Sequence, residues 1–65
     1  MTPEEIANRV NLIKALGDPE SKHIEEDQLY ETVLKAIAAG NVKDPAECAK
    51  AALKTKELNF PRWYS

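Results

Sequence analysis

Four polar residues near the middle of the chain have the spacing of one helical face. They are His23, Glu26, Asp27 and Tyr30. A histidine and a carboxylate four residues apart can begin a divalent-metal site, because imidazole nitrogen and carboxylate oxygen both ligate such ions. The same pair could exchange a proton as an oriented acid and base. This face is therefore the first place to look for chemistry.

A structural role for this cluster is the simpler interpretation. A closed zinc site needs about four ligands, and the chain has one histidine and one cysteine, Cys48. We expect Cys48 to lie in the core and His23 to bond a neighbouring carboxylate. We accordingly predict no metal and no cofactor, and keep a metal or acid–base site at His23, Glu26 and Asp27 as the alternative.

Three segments begin with the same local pattern, a capping residue followed by proline. The pattern occurs at Thr2-Pro3, Asp18-Pro19 and Asp44-Pro45. A side-chain oxygen before the first turn accepts from free backbone N–H groups, and proline at the first helical position loses no hydrogen bond. Gly17 and Gly40 can end helices. The pattern predicts helices over residues 3–16, 19–39 and 45–56, within one domain spanning residues 1–65.

The apolar face of the second predicted helix turns polar towards its start. Its apolar residues are Leu29, Tyr30, Val33, Leu34 and Ile37. Extended backwards, the same face reaches His23, Glu26 and Asp27. A chain of 65 residues forms only one small core. We therefore expect a continuous or slightly bent helix whose polar first turns extend beyond that core.

The composition limits the classes of protein that the chain can be. Hydrophobic residues make up 43% of its 65 residues, but nine of them are alanine. This excludes a multidomain enzyme, a dinucleotide-binding fold and a barrel. A single cysteine forms no internal disulfide, no apolar run approaches the roughly 20 residues of a membrane span, and the acidic start is unlike a signal peptide. We predict a cytoplasmic location.

Charge is distributed unevenly along the chain. Residues 18–40 carry six acidic and two basic side chains, whereas residues 41–65 carry five basic and three acidic ones. The segment from Gly40 into the third helix has spacing like that of a helix-turn-helix. That helix has no Arg, Asn or Gln to contact base edges, and the net charge is −2. Weak DNA binding is therefore a second alternative only.

The C-terminal segment carries the largest apolar side chains. Phe60, Trp63 and Tyr64 lie there together with Arg62, and Pro61 favours an extended backbone at Phe60. The segment could fold back and close the core, because an aromatic side chain buries roughly 150–250 Å². It could instead anchor a partner, because Trp, Tyr and Arg dominate binding hot spots.

Two separated groups of motifs resemble small uncharacterised proteins of actinobacteria and their bacteriophages. The resemblance covers residues 17–64. It implies a small soluble bacterial or phage protein and no known activity. In that group the position of Tyr30 often carries His, so Tyr here weakens a metal interpretation. The motifs are Gly17-Asp18-Pro19-Glu20, His23, Glu26-Asp27-x-Leu29, Val33-Leu34-x-Ala36-Ile37-Ala38-x-Gly40 and Phe60-Pro61-Arg62-Trp63-Tyr64.

Together these patterns predict an all-α, three-helix domain with a nonhelical aromatic C-terminal tail and no enzymatic activity. We expect it to bind another protein, with a homodimer as one form of that interaction. Nucleic acid is an unlikely partner and no membrane is expected. The predicted contact residues are His23, Glu26, Asp27, Tyr30, Arg62, Trp63 and Tyr64.

Overall fold

A computed structural model describes residues 1–62 as three α-helices followed by a 3₁₀ turn. The helices are α1 (Pro3–Ala15), α2 (Pro19–Ala38) and α3 (Pro45–Leu53), and the 3₁₀ turn (Lys54–Glu57) continues α3. There is no strand within residues 1–62. The all-α prediction is confirmed, and α2 runs unbroken through the segment where a bend was considered. None of the described helices is long and apolar enough to cross a membrane.

Two of the three predicted helix starts have the expected caps. The Thr2 hydroxyl accepts from the Glu5 N–H at 3.2 Å, and the Asp18 carboxylate accepts from the Ser21 N–H at 3.2 Å. Such caps satisfy N–H groups that have no partner inside the helix. The starts of α1 and α2 are therefore determined locally by the sequence.

The start of α3 is built differently. Asp44 has a left-handed backbone, with φ of 54°, and its side chain makes no capping hydrogen bond. The predicted cap is wrong because capping residues normally have an extended backbone. The Asp44 carbonyl still accepts from the Cys48 N–H at 2.9 Å, and the Cys48 thiol donates to the Lys43 carbonyl at 3.2 Å. A backbone bond and a buried thiol thus hold this end.

The core lies where the three helices meet. All three pairs of helices are in contact, and α1 packs more extensively on α3 than on α2. Small side chains on α3 allow this close approach of the backbones. The buried apolar residues of the cluster are Ile6, Val10, Ile13, Leu29, Val33, Cys48 and Ala52.

Candidate functional site

The polar start of α2 is covered by the C-terminal segment. His23 is only 7% exposed and Glu26 only 1%. The Phe60 ring is buried, and Arg62 reaches the Glu26 carboxylate. The expectation that these turns of α2 extend beyond the core is therefore wrong, because the segment after the 3₁₀ turn folds back over them.

Glu26 and Arg62 form an ion pair in which the carboxylate is buried and the guanidinium is partly exposed. Arg62 Nε donates to Glu26 Oε1 at 3.0 Å and to Oε2 at 3.2 Å, and Nη2 donates to Oε2 at 3.2 Å. The planar guanidinium matches the geometry of a carboxylate, which makes such pairs strong and directional. Lys56 adds a second cation, with Nζ 3.9 Å from Oε1.

Arg62 also holds the backbone that precedes it. Its Nη2 donates to the carbonyls of Thr55 at 2.7 Å and Leu58 at 3.2 Å, and Nη1 donates to the Phe60 carbonyl at 3.3 Å. The guanidinium carbon lies 4.0 Å from the centre of the Phe60 ring. One side chain therefore ties the end of the 3₁₀ turn to α2.

Thr55 connects this ion pair to Tyr30. The Thr55 side chain hydrogen-bonds the Glu26 carboxylate, and its hydroxyl pairs with the Tyr30 hydroxyl. Either hydroxyl of the Tyr30–Thr55 pair can donate in this bond. We call Glu26, Tyr30, Thr55 and Arg62 the polar network. No described side chain is left with a buried polar atom that lacks a partner.

The polar network keeps Glu26 ionised. Burial alone would raise the pKa of Glu26, since it penalises the charged form. Hydrogen bonds from Arg62 and Thr55 and the charges of Arg62 and Lys56 outweigh burial, so the pKa of Glu26 lies below its ordinary value. The carboxylate therefore serves as a fixed anion, which is a poor choice for a general acid at neutral pH.

The structure brings the described members of the predicted contact set into two groups with different partners. Glu26, Tyr30 and Arg62 meet in the polar network, and His23 Nε2 lies 3.7 Å from Asp27 Oδ2. Glu26 is too buried to contact a partner. Trp63 and Tyr64 lie outside the described residues, so the two interpretations of the tail stay predictions; the described Phe60 is buried.

Thr55 is a member of the polar network that the sequence did not single out. It is fully buried and lies between Tyr30 and Glu26. A signal was present, because Cys48, Ala52 and Thr55 have the spacing of one helical face. That spacing marks Thr55 as a continuation of the core face of α3.

Three possible metal ligands converge beside the polar network. One ligand atom from each of His23, Glu26 and Asp27 lies within 4.8 Å of the others. The Glu26 oxygens, however, already accept three N–H bonds from Arg62. A cation bound by all three residues would have to displace the guanidinium.

An apolar groove opens between α2 and α3. Its volume is about 260 Å³, and Leu34 and Leu53 beside it are 67% and 58% exposed. The sequence placed Leu34 and Ile37 on the core face, but that face is wider than the three-helix core can cover. The lining residues are Tyr30, Val33, Leu34, Ile37, Ala49, Ala52 and Leu53.

A wider groove separates α1 from α3. Its volume is about 880 Å³, and charged and polar side chains form much of its wall. They include Glu4, Asn11, Lys14, Glu47 and Lys50. Apolar side chains share this wall, among them Leu53, which lines both grooves. The α2–α3 groove is lined almost wholly by apolar atoms, so it is the stronger candidate for a binding surface.

Comparison of the chain with protein-family models, with curated proteins and with solved structures gives no match. The fold and the site thus define the class by themselves. This is a small three-helix domain in which Arg62, after the 3₁₀ turn, forms an ion pair with a buried glutamate of the second helix.

Proposed function

We propose that this chain is a small protein-interaction domain without enzymatic activity. Its contact surface is the α2–α3 groove, and its ligand is an apolar helical surface of a protein. The observation that carries this proposal is the exposure of Leu34, Ile37 and Leu53 around one groove. Large apolar side chains are scarce in this chain, and contiguous exposed apolar surface usually marks an interaction site.

The shape of the groove supports a helical ligand. Two packed helices leave a furrow between them into which the side-chain ridge of a third helix fits. Here Ala49 and Ala52 are small, whereas Leu34 and Leu53 rise on either side. Small residues flanked by large ones give a ligand side chain room to enter and walls to touch.

The polar network supports the proposal by making the surface rigid. Tyr30 lines the groove with its ring and bonds Thr55 with its hydroxyl. Thr55 in turn holds Glu26, which Arg62 fixes. A preordered surface loses less conformational entropy on binding. We therefore assign the network a structural role beside the groove.

A site-specific crosslink tests this proposal. A photoreactive phenylalanine analogue replaces Glu31, an exposed α2 residue about one helical turn before the groove residue Leu34, in the organism that encodes the chain. The same analogue at Asn8 on α1 is the matched control. We expect a protein adduct from position 31 only. The adduct should vanish with Leu53→Glu and persist with Leu12→Glu; equal labelling from both positions would contradict the proposal.

The proposed setting is the cytoplasm of a bacterium or of a cell infected by its phage. Support comes from the motifs of residues 17–64, which resemble those of small actinobacterial and phage proteins. Finding the gene in a genome of another kind would remove that support.

A divalent-cation site at His23, Glu26 and Asp27 is the second candidate, because their ligand atoms converge within 4.8 Å. Zinc added to the purified protein should raise the melting temperature if a cation stabilises the folded state. The matched variant is His23→Gln, in which the rise should disappear. No rise in the wild type would exclude this candidate, and the occupation of Glu26 by Arg62 makes that the result we expect.

A further inference from the structure

We infer that Arg62 closes a divalent-cation site at the start of α2, so that the C-terminal segment and a cation compete for Glu26. The ligands of this site are His23, Glu26 and Asp27, and zinc represents the class of ion that they would hold. We call residues 58–62 the strap. The inference goes beyond the second candidate above because it names what controls the site, and it is independent of the α2–α3 groove and its ligand.

The three ligands lie on two successive turns of one helix. His23 Nε2 is 3.7 Å from Asp27 Oδ2, and one ligand atom from each of the three residues lies within 4.8 Å of the others. Zinc holds nitrogen and oxygen ligands at about 2.0–2.2 Å, which places these atoms about 3–4 Å from one another. Small side-chain rotations give that spacing. Three protein ligands with a further position for water form an open zinc site.

The position of Glu26 selects positive charge independently of this spacing. Its carboxylate is only 1% exposed, and a buried carboxylate requires a compensating cation. The chain supplies two cations from outside α2. Arg62 donates three N–H bonds to the carboxylate, and Lys56 Nζ lies 3.9 Å from Oε1. In the closed domain the protein's own guanidinium therefore holds the carboxylate that a metal ion would need.

Exchange of the guanidinium for a metal ion has a path and a driving force. The Asp27 side chain is 48% exposed, so an ion can reach the rim of the site from solvent. Arg62 brings one positive charge. A divalent ion brings two to the neighbouring carboxylates of Glu26 and Asp27, and it also accepts the imidazole lone pair of His23. The ion reaches Glu26 only as Arg62 leaves.

Departure of Arg62 from Glu26 also loosens the strap. The same guanidinium donates to the carbonyls of Thr55, Leu58 and Phe60, and it lies 4.0 Å from the centre of the Phe60 ring. These contacts depend on where the guanidinium lies, so a closed strap and a bound ion exclude each other. The apparent affinity for the ion is then the intrinsic affinity reduced by the fraction of molecules whose strap is open.

This competition predicts a sign that a merely structural role does not. A variant that weakens the strap but keeps all ligands and charges should bind zinc more tightly, although it is less stable. Phe60→Leu is such a variant, because the Phe60 ring is buried beside the Arg62 guanidinium and is not a ligand. Ile6→Val is the matched control, since it removes one methyl group from a fully buried side chain of α1.

Calorimetric titration with zinc chloride at neutral pH tests the competition. We expect Phe60→Leu to bind zinc at least about threefold more tightly than the wild type, and Ile6→Val to bind it like the wild type. His23→Gln, added to Phe60→Leu, should abolish the gain because it removes a ligand. An equal gain in Ile6→Val, or a gain that survives His23→Gln, would overturn the inference.

Arg62→Gln should give the largest effect. It removes the competing charge but keeps a polar side chain, and it should tighten zinc binding by at least about tenfold. Circular dichroism with and without zinc follows its fold. If this variant is unfolded without zinc, zinc should restore the helical signal. Neither binding nor refolding of Arg62→Gln in zinc would overturn the inference.

The same titrations separate this inference from the second candidate. Tight binding that is equal in the wild type and in Phe60→Leu supports the second candidate and overturns the competition. Weak binding by the wild type with tighter binding by Phe60→Leu supports the competition and overturns a site that is open in the closed domain. No binding by any variant, Arg62→Gln included, overturns both.

Discussion

Arg62 Nε donates to both carboxylate oxygens of Glu26, at 3.0 and 3.2 Å, across 36 residues of sequence. This pair joins the start of α2 to the segment after the 3₁₀ turn, two parts of the chain that no local rule brings together. Because Glu26 is 1% exposed, water cannot solvate its negative charge, and Arg62 offsets most of the cost of burying it. The stability of the domain should therefore depend strongly on this one contact.

Removal of Arg62 should be costly. Arg62→Ala leaves a buried carboxylate without its main partner, and we expect a loss of about 2–4 kcal/mol in the free energy of unfolding. Domains of this size have about 3–10 kcal/mol in total, so the variant should be close to unfolding. Urea denaturation followed by circular dichroism measures the change. Lys54→Ala, which breaks the exposed pair with Glu57, is the control and should cost under about 0.5 kcal/mol.

The coupling between the two residues can be measured separately. Glu26→Gln removes the charge that Arg62 compensates. The double variant Glu26→Gln/Arg62→Ala should therefore lose less free energy of unfolding than the sum of the two single variants, by at least about 1 kcal/mol. A double-mutant cycle in urea gives this energy. Strict additivity would show that Arg62 acts only through the backbone carbonyls of Thr55, Leu58 and Phe60.

Acid should weaken the domain through Glu26. The pKa of Glu26 is lowered in the folded domain, whereas a glutamate in the unfolded chain has a pKa of about 4.3. The unfolded chain therefore binds this proton more readily than the folded one. The stability that the group contributes is full above about pH 4.3 and is lost as the pH falls through the lowered folded pKa. The difference in melting temperature between the wild type and Glu26→Gln should therefore narrow between neutral and acidic pH. A constant difference would contradict the ion pair.

Phe60 should anchor the C-terminal segment. The ring is buried and lies 4.0 Å from the Arg62 guanidinium carbon and 5.9 Å from Lys22 Nζ. Phe60→Ala should cost about 2–4 kcal/mol, and Phe60→Leu, which keeps most of the volume but loses the ring, about 1 kcal/mol. Thermal melts compare both with the exposed neighbour Asn59→Ala, which should melt like the wild type.

Two leucines on α2 should differ sharply. Leu29 is fully buried and Leu34 is 67% exposed. Leu29→Ala should lower the free energy of unfolding by about 2–4 kcal/mol through the cavity that it leaves. Leu34→Ala should change it by less than about 0.5 kcal/mol. Denaturation at low micromolar concentration isolates the monomer; similar losses at both positions would show that the groove is covered within one chain.

The helices were predictable because their signals are local. The caps at Thr2 and Asp18 and the stop at Gly40, with φ of 71°, depend on residues within one turn. The buried residues of α1, Ile6, Val10 and Ile13, likewise recur at the spacing of one helical face. Asp44 was mispredicted because aspartate can also adopt the left-handed backbone, and there its side chain makes no capping hydrogen bond.

The site was only half predictable because its partners are distant in sequence. Helical spacing showed that Glu26 shares the core face with Leu29, but no local rule says what covers a polar residue there. A buried carboxylate requires a cation, and Arg62 in a Pro-fixed segment was one of several bases that could supply it. Exposure of Leu34 depends on the width of the finished core, which helical spacing does not give.

The separation of Glu26 from Arg62 has a consequence during synthesis. Ribosomes add about 5–20 residues per second, so the 36 residues between the two partners take roughly 2–7 s to make. During that interval α2 can form its turns, but the Glu26 carboxylate, which is buried in the finished domain, is still exposed to water. The core face of α2 also still lacks the Phe60 ring. The domain therefore completes its fold after the three helices have been made, when the last cation arrives.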